Sequence, residues 1–334
     1  MKAYLLFALK RLLQLIAVVY AGCSAAFFIA KLSPISAVES IIGRISGRST
    51  FSPEAVESLR ATLTELFGLD VPLHEQYFLF IGRLITLDFG PSLLAFPTPA
   101  MTLIGWALPW TVGLLTVAIV MTWILGNILG GLAGYYQNSR ILKAIGVVAI
   151  GVQPIPYYIV AFLMVIIFGF LWPVLPISGG FAMNVRPGLT WEFIGSILVH
   201  SILPATSLVL VGMGTWFLGM RALVSNIISE DYVTYAELAG VQRRTIVFGY
   251  VIRNAIVPQL TALAMALGGI FSGTIITEQV FSYPGLGTLL IRAVNAGDST
   301  TVLAVSCIAV MAVATAIFII DLLHPLLDPR VRVG

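Results

Sequence analysis

The side chains that could do chemistry in this chain are few, and their spacing fits no catalytic or metal-binding pattern. Its three histidines, His74, His200 and His324, are scattered without the spacing of a ligand set. Ser201 follows His200, but adjacent residues of a helix point in different directions and do not form a nucleophile–base pair. The sequence also has no GxxxxGK[ST] phosphate-binding loop. We therefore predict that the chain is not an enzyme, and that any ATP it depends on is bound by another chain.

The composition is that of an integral membrane protein. Hydrophobic residues make up 59% of the 334 residues and charged residues only 10%, whereas soluble proteins carry roughly 25% charged residues. Both cysteines, Cys23 and Cys307, lie inside apolar runs, so no disulfide framework is indicated. The first apolar run continues past Cys23, which favours an uncleaved membrane span over a removed signal peptide.

Six apolar segments are long enough to cross a bilayer as helices, which takes about 20 residues each. These segments are 12–30, 107–133, 143–170, 196–219, 255–277 and 301–323. Pro154 and Pro156 in the third segment, and Pro204 in the fourth, are predicted to break the helical hydrogen bonding there. Gly126, Gly130 and Gly134 recur at every fourth position, a spacing that lets two helix backbones approach closely. We expect this glycine stripe to pack inside one bundle rather than to form a dimer face.

The distribution of basic residues predicts the orientation of the chain in the membrane. Lysine and arginine are concentrated in the segments that are cytoplasmic if the N-terminus is inside, so both termini and 220–254 are predicted to be cytoplasmic. The hydrophilic region 31–105 then forms a large periplasmic loop. Ser52, Pro53 and Glu54 are typical of a helix start, so this loop is predicted to be partly helical.

The segment YAELAGVQRR, residues 235–244, is polar although apolar runs flank it on both sides. We predict that Ser229 caps a short helix running through Tyr232 to Ala239, and that Gly240 supplies a left-handed residue after it. A second helical piece should begin near Gln242 and continue into the fifth span. This helix–glycine–helix elbow is predicted to expose a surface of aromatic and small residues: Tyr232, Tyr235, Ala236 and Ala239.

Several motifs resemble those of a known transporter family. The pattern Glu230-Asp231-Tyr232-Val233, Ala236, Gly240, Arg253-Asn254-Ala255 and Pro258 resembles the coupling loop of ATP-binding-cassette (ABC) importer permeases, with the spacing of the dipeptide/oligopeptide/nickel family. Further blocks similar to that family are Phe67–Asp70 and Asp88–Ser92 in the outer loop, Glu278–Gly287, and the end of the chain from Asp321 to Arg330. The long outer loop resembles that of the B-type permease subunit.

The resemblance implies an all-α polytopic membrane protein with six transmembrane helices and the type I ABC-importer permease fold. Its domains would be 1–106 (first helix plus periplasmic loop), 107–323 (five-helix permease core with the coupling loop at about 220–254) and 324–334 (cytoplasmic tail). It also implies a bacterial or archaeal inner or plasma membrane location. The implied partners are a second homologous permease, two ATPases that bind ATP and Mg, and an extracytoplasmic substrate-binding protein. A heterodimer of permeases is expected, with a homodimer left open, and nucleic acid is not a partner.

Three groups of residues are candidate functional sites. The ATPase-coupling group is Asp231, Tyr232, Tyr235, Ala236, Gly240, Arg243 and Arg244. The outer group, a gate or a contact for the binding protein, is Glu278, Phe281, Pro284, Gly285 and Gly287, where Pro284 with Gly285 is expected to make a tight turn. The polar residues inside spans, which either line the translocation path or bond across helices, include Gln153, His200 and Gln259.

The cargo stays open at this point, with oligopeptides first and oligosaccharides or a nickel chelate as alternatives. The family's usual Pro-Gly-Asp-Pro run after the first span is replaced here by Ser33-Pro34-Ile35-Ser36-Ala37, and a lysine common before the coupling glycine is replaced by Ala239. A transporter of another class, driven by an ion gradient, would need carboxylates inside the membrane. Only Glu278 and Asp321 approach that position, both at span ends.

Overall fold

The fold is built from α-helices. The computed structural model describes residues 2–32, 42–43, 52–66, 71–268 and 275–327, and these contain no β-strand, only an isolated bridge between Pro91 and Pro99. Three sequence motifs, Ser33–Ala37, Phe67–Asp70 and the chain end from Asp328, lie outside the described residues. The prediction of an all-α membrane protein is confirmed.

Thirteen α-helices follow one another along the described residues, and two of them continue into a π-helix. They are α1 (Lys2–Leu32), α2 (Pro53–Leu66), α3 (Leu73–Thr86), α4 (Ala100–Tyr135), α5 (Arg140–Val152), α6 (Tyr157–Val165, continued by a π-helix at Ile166–Leu171), α7 (Trp191–Ile227), α8 (Asp231–Leu238), α9 (Arg243–Thr245, continued by a π-helix at Ile246–Ile252), α10 (Arg253–Gly268), α11 (Ile275–Val280), α12 (Leu286–Asn295) and α13 (Ser299–Leu327).

Five of these helical stretches are long and apolar enough to cross a membrane: Tyr4–Leu32, Ala100–Tyr135, Trp191–Ile227, Arg243–Gly268 and Ser299–Leu322. The predicted third span is a bent pair instead, because α5 and the helix that starts at Tyr157 meet at 105°. The bend falls at Gln153–Pro156, where Pro154 and Pro156 remove two backbone donors, as predicted. The described residues therefore contain five candidate spans, or six if the bent pair counts as one.

Pro204 behaves differently from the prediction. The helix α7 runs without a break from Trp191 to Ile227 with Pro204 inside it. The hydroxyl of Ser207 donates to the Pro204 carbonyl at 2.8 Å, so this side chain returns to its own helix. A proline inside a long apolar helix is tolerated where neighbouring helices pack around it, and Pro204 is buried.

Residues 1–111 and 284–334 form one compact unit. In it α1 and α13 pack as an antiparallel pair: the Tyr4 hydroxyl donates to the carbonyl of Leu322, and Gly22 lies against Val310. Gly22 has no room for a side chain, because a Cβ there would come within 2.8 Å of Val310. The two helix ends nearest the chain termini therefore lie at the same end of this pair.

Asp298 organises the opposite end of the same helix pair. It is fully buried at the start of α13 and accepts hydrogen bonds from the Thr301 amide (2.9 Å), the Thr301 hydroxyl (2.6 Å) and the Leu94 amide (3.0 Å). The buried Ser92 hydroxyl donates to the same carboxylate. Asp298 thus caps α13 and fastens the outer segment around Ser92 to it.

Residues 112–283 form the second compact unit, with α7 at its centre. The glycine stripe of α4 packs on α7: a Cβ at Gly130 would meet the Phe217 carbonyl oxygen at 2.4 Å, and one at Gly134 would meet Val224 at 2.8 Å. On another side of α7, a Cβ at Gly214 would meet the Ala149 carbonyl oxygen of α5 at 2.5 Å. The stripe serves close helix packing within one chain, as predicted.

Candidate functional site

The helix–glycine–helix elbow predicted from the sequence is present, but its helix begins one residue later than expected. Helix α8 spans Asp231–Leu238 and Glu230 is its N-cap residue, without a side-chain cap. Ser229, predicted to cap the helix, instead donates its hydroxyl to the carbonyl of Asn226 at 2.7 Å. The cap prediction is wrong because Ser229 bonds back to the end of α7.

Gly240 ends α8 in the conformation that the sequence predicted. Its φ is +74°, its amide donates to the carbonyl of Glu237 (3.1 Å), and the Val241 amide donates to the carbonyl of Ala236 (3.1 Å). Together these bonds form a Schellman motif, which requires a left-handed residue at this position. Nothing lies within 4 Å of a Cβ built at Gly240. Only its backbone conformation therefore favours glycine here.

One face of α8 is buried in the protein itself. Val233 and Ala236 are 1% and 7% exposed and pack in a cluster with Val224 of α7, Ile246 and Ala255. Ala236 was predicted to belong to the exposed surface of the elbow, and that prediction is wrong. Positions three apart on a helix share a face, so Ala236 is buried together with Val233. The cluster attaches α8 to both flanking spans.

The opposite face of α8 is open and partly apolar. Tyr235 is 72% exposed and Leu238 is 79% exposed, and Asp231 lies on the same face one turn before Tyr235. Leu238 was missed by the sequence analysis, although its spacing of three from Tyr235 could have identified it. A polar chain segment with two large exposed apolar side chains on one face has the features of a docking surface.

Tyr232 connects α8 to the start of the next span. The Asn254 amide group donates to the Tyr232 hydroxyl at 3.1 Å and to the carbonyl of Tyr250 at 2.7 Å. Asn254 lies in the first turn of α10, and α9, the π-helix and α10 follow each other from Arg243 to Gly268. The second helical piece starts after Gln242, as predicted, so displacement of α8 would act directly on this span.

The two arginines after the glycine differ in their surroundings. The Arg243 guanidinium lies 5.6 Å from the ring centroid of Tyr135 and 5.2 Å from that of Tyr136, at the end of α4. Such cation–π contacts hold an arginine against aromatic faces. Arg244 is exposed. Arg243 therefore fastens the elbow to α4, and Arg244 is the better candidate for a contact with another protein.

The outer residues Glu278 and Phe281 lie in the second unit and are both 1% exposed. They flank the end of α11, where Ser282 takes a φ of 46° and the Tyr283 amide donates to the Glu278 carbonyl at 2.8 Å. The turn predicted at Pro284 and Gly285 is therefore centred on Ser282. Burial raises the pKa of the Tyr283 phenol, which shares a 3.0 Å hydrogen bond with Ser201.

The other outer residues, Pro284, Gly285 and Gly287, lie in the first unit. Gly285 is the N-cap of α12, with an extended backbone (φ −90°, ψ −179°). The amide of Leu286 donates to the hydroxyl of Thr111 at 2.7 Å, so a residue of α4 satisfies the first free amide of α12. Gly285 and Gly287 are buried in this turn, so their first role is to hold the turn in place. A contact with another protein would be an additional role.

The predicted path residues mainly bond within the helix bundle of the second unit. The Gln153 amide donates to the hydroxyl of Thr215 on α7 at 3.2 Å, and His200 shares a 2.8 Å hydrogen bond with the carbonyl of Ser196 in its own helix. The side chain of Gln259 is buried, and its amide nitrogen would lie 3.0 Å from a Cβ at Gly219. Of the two roles left open by the sequence, bonding within or across helices is the one these contacts support.

Asn127 is a buried polar residue that the sequence analysis missed. It is 3% exposed within α4, and its amide group donates to the carbonyl of Trp123 at 2.7 Å. Its side-chain oxygen has no hydrogen-bond partner among the described residues. Trp123 in turn donates its indole N–H to the backbone carbonyl of Gln259 at 3.0 Å. A polar residue inside a predicted span was the available signal.

Comparison with known proteins agrees with these features. The sequence model of the family described as "Binding-protein-dependent transport system inner membrane component" matches residues 126–333. The dipeptide transport system permease protein DppB of Lactococcus lactis is 25% identical over 328 residues, covering 98% of this chain and 99% of that protein. The oligopeptide transport system permease protein OppB of Haemophilus influenzae is 28% identical, with 98% and 99% covered. A putative peptide transport system permease protein of Brucella abortus is 30% identical, with 97% and 98% covered.

Proposed function

Because this chain belongs to the family of binding-protein-dependent transport system inner membrane components, we propose that it is a permease subunit that imports oligopeptide-class solutes. The solute would be delivered by an extracytoplasmic binding protein and moved across the inner membrane by an ATP-driven complex. The observation that carries the proposal is the elbow at Asp231–Gly240. Its inner face is packed on two spans, and its outer face exposes Tyr235 and Leu238.

The elbow supports a coupling mechanism in which a partner ATPase moves the spans. A contact at Tyr235, Leu238 and Asp231 would push α8 as a rigid body, since Val233 and Ala236 fix it to α7 and to the π-helix before α10. Such motion converts a partner's closure into a shift of packed helices. The driving force is the difference in ATP affinity between two states of the whole complex. ATP and Mg²⁺ would be bound by the two ATPase subunits, and this chain would contribute no catalytic group.

The complex we propose contains a second homologous permease, two ATPases and the binding protein. The permease pair is expected to be a heterodimer. Both termini and the elbow would be cytoplasmic, in line with the basic residues of these segments. The antiparallel pairing of α1 and α13 places Tyr4 and Leu322 at the same end of the pair, which supports both termini lying on one side of the membrane.

Oligopeptides are proposed as cargo because the curated relatives named above are dipeptide, oligopeptide and peptide transport permeases. The candidate path residues are amides and an imidazole, namely Gln153, Gln259, Asn127 and His200. This set suits a loosely contacted solute of variable side chains. Asn127 is the polar group we place nearest the path; it donates to the carbonyl of Trp123, whose indole donates to the backbone carbonyl of Gln259.

The proposal is tested by transport in proteoliposomes that contain the purified complex, its binding protein and ATP. Uptake of a labelled oligopeptide mixture is compared with that of an oligosaccharide and of a nickel chelate. ATP-dependent uptake of peptides alone is the expected result. Uptake driven by an ion gradient without ATP would show a secondary transporter and overturn the proposal.

The role of the elbow is tested separately with the variant Tyr235→Ser/Leu238→Ser. We expect the ATPase subunits no longer to co-purify with this chain, while the fold persists because both side chains are exposed. Met183→Ser is the matched control, since Met183 is an equally large and fully exposed residue in the segment between α6 and α7. Retention of the ATPases by the elbow variant would contradict the coupling role.

A further inference from the structure

Helix α3 has two neighbouring apolar stripes, only one of which is covered by protein. Tyr77, Phe80 and Leu84 form the first stripe, at a spacing of three and four residues. Phe78, Ile81 and Ile85 repeat the same spacing one residue later, so the second stripe is rotated by about 100° around the helix. Phe80 is 5% exposed, whereas Phe78 is 71% exposed and Ile85 is 79% exposed.

The covered stripe packs against the last turns of α1. The Phe80 and Phe27 rings stack with centroids 5.0 Å apart, and the Tyr77 and Phe28 rings stack at 5.4 Å. The Tyr77 hydroxyl also shares a 2.7 Å hydrogen bond with that of Ser24. Lys31 donates a hydrogen bond to the side-chain oxygen of Gln76, and the side-chain amide nitrogen of Gln76 donates one to the Val71 carbonyl. These contacts fix both the position and the rotation of α3 on α1.

The level of this contact along α1 gives the depth of α3 in the bilayer. The apolar part of α1 is bounded by Arg11 and Lys31, which are separated by 20 residues, or about 30 Å of helix. That length equals the thickness of a hydrocarbon core, so Lys31 marks one membrane–water boundary. The ring-stacking and hydrogen-bond contacts with α3 named above fall between Ser24 and Lys31, within about 10 Å of that boundary. One further interaction, that of Tyr20 with Tyr77, lies one turn deeper. Helix α3 therefore lies at the height of the lipid headgroups and the first acyl carbons.

At this height the open stripe has a lipid surface beside it. The same end of α1 exposes Ile29 (68%) and Leu32 (83%), which are apolar residues of a stretch long and apolar enough to span a membrane. The remaining side of α3 carries Glu75, Gly82 and Thr86, with Leu79 as its one large apolar residue. An apolar side continuous with a span and a polar side turned away from it are the features of an interfacial amphipathic helix.

We propose that α3 is an interfacial membrane helix on the periplasmic side, with Phe78 and Ile85 inserted at the headgroup–acyl boundary. It anchors the outer loop in the plane of the membrane and fixes the height of the segment around Ser92. Lipid is the occupant of this face, because its depth matches the bilayer boundary and its neighbour α1 is a span. This inference concerns the membrane position of α1 and α3 and is independent of the cargo.

The test uses spin labels on single cysteines in the assembled complex in lipid nanodiscs. Phe78→Cys and Ile85→Cys report on the open stripe, and Glu75→Cys and Thr86→Cys are the matched controls on the polar side. Cys23 and Cys307 are buried, so the unsubstituted chain should remain unlabelled and serves as the labelling control. Collisions with oxygen, which concentrates in lipid, are compared with collisions with a water-soluble nickel chelate.

We expect labels at 78 and 85 to collide several-fold more with oxygen than with the chelate, and labels at 75 and 86 to show the reverse order. Equal access of the chelate to all four positions would mean that α3 stands in water and would overturn the proposal. Immobile labels at 78 and 85 that neither reagent reaches would mean that protein covers this face, which also overturns it. These outcomes do not depend on transport activity, so they are distinct from failure of the proposed function.

Discussion

The amide group of Asn254 lies 3.1 Å from the hydroxyl of Tyr232 and donates a hydrogen bond to it, which joins the elbow helix α8 to the first turn of α10. The same amide also donates to the carbonyl of Tyr250. The Asn254 amide nitrogen therefore bonds to α8 and to the following helix at once, and the position of α8 is tied to the backbone of the following span.

Asn254→Leu should weaken the link between ATP hydrolysis and transport without preventing assembly. It removes both hydrogen bonds, each of which contributes about 0.5–1.5 kcal/mol, while Tyr235 and Leu238 still present the docking face. We expect more ATP hydrolysed per solute imported, measured in the same proteoliposomes. Tyr232→Phe, which leaves the bond to Tyr250 intact, should have the smaller effect. An unchanged ratio in Asn254→Leu would show that this bond does not transmit motion.

Gly240→Val should impair transport through the backbone alone. A residue with a Cβ pays about 1–2 kcal/mol in the left-handed conformation, and a β-branched one more, while the site itself is open. Relief of that strain would unwind the last turn of α8 and displace Leu238. We expect peptide uptake and ATPase co-purification both to fall. Gly240→Asn is the control, because asparagine adopts this conformation readily. If Asn and Val behave alike, the cause is not the conformation of the backbone.

Gly130→Ala should destabilise the second unit, because its Cβ would lie 2.4 Å from the carbonyl oxygen of Phe217 and would force α4 and α7 apart. Overpacking of this kind costs about 1–3 kcal/mol. Gly113→Ala on the same helix is the matched control, since no atom lies within 4 Å of a Cβ there. Thermal unfolding in detergent should show a lower midpoint for Gly130→Ala alone. Equal midpoints would mean that the two helices adjust without cost.

The sequence was sufficient for features that depend on local chemistry. Gly240 was identified as a left-handed residue because few residues other than glycine end a helix in this way. The breaks at Pro154 and Pro156 follow from the missing backbone donors, and Ser52 accepts a hydrogen bond from the amide of Ala55 at the start of α2, as predicted. In these cases the residue itself limits the backbone.

Features that depend on contacts between distant residues could not be predicted. The sequence does not reveal that Ala236 faces α7, because that depends on the angle at which α8 leaves the previous span. Pro204 carries the same local signal as Pro154, yet α7 continues through it because helices surround it. Asp298 receives hydrogen bonds from Ser92 and Leu94, more than 200 positions away in the chain. No local pattern indicates such a pairing.

Asp298→Asn should destabilise the first unit more than any single change among its donors. The carboxylate accepts from Ser92, Leu94 and Thr301, and an amide in its place turns one acceptor into a donor that faces other donors. Each buried donor left without an acceptor costs about 1–3 kcal/mol. Ser92→Ala removes one donor and keeps the carboxylate, so its thermal midpoint should fall less. The reverse order would show that Asp298 is not the centre of this network.

The substitution Asn127→Leu is expected to keep or raise the thermal stability of the protein while it lowers transport. The Asn127 side-chain oxygen is buried without a partner among the described residues, and an unpaired buried polar atom costs about 1–3 kcal/mol. Leucine has a similar volume and no polar atom, so the thermal midpoint of the variant should be equal or higher.

A polar group kept in a span at such a cost indicates use in function. We therefore expect lower peptide uptake in proteoliposomes, with ATPase co-purification unchanged because the exposed Tyr235 and Leu238 of the elbow are kept. Trp123→Phe, which removes the indole donor to the Gln259 carbonyl, should reduce uptake in the same direction if the three residues act together. Undiminished uptake in Asn127→Leu would show that this amide serves helix packing and does not line the translocation path.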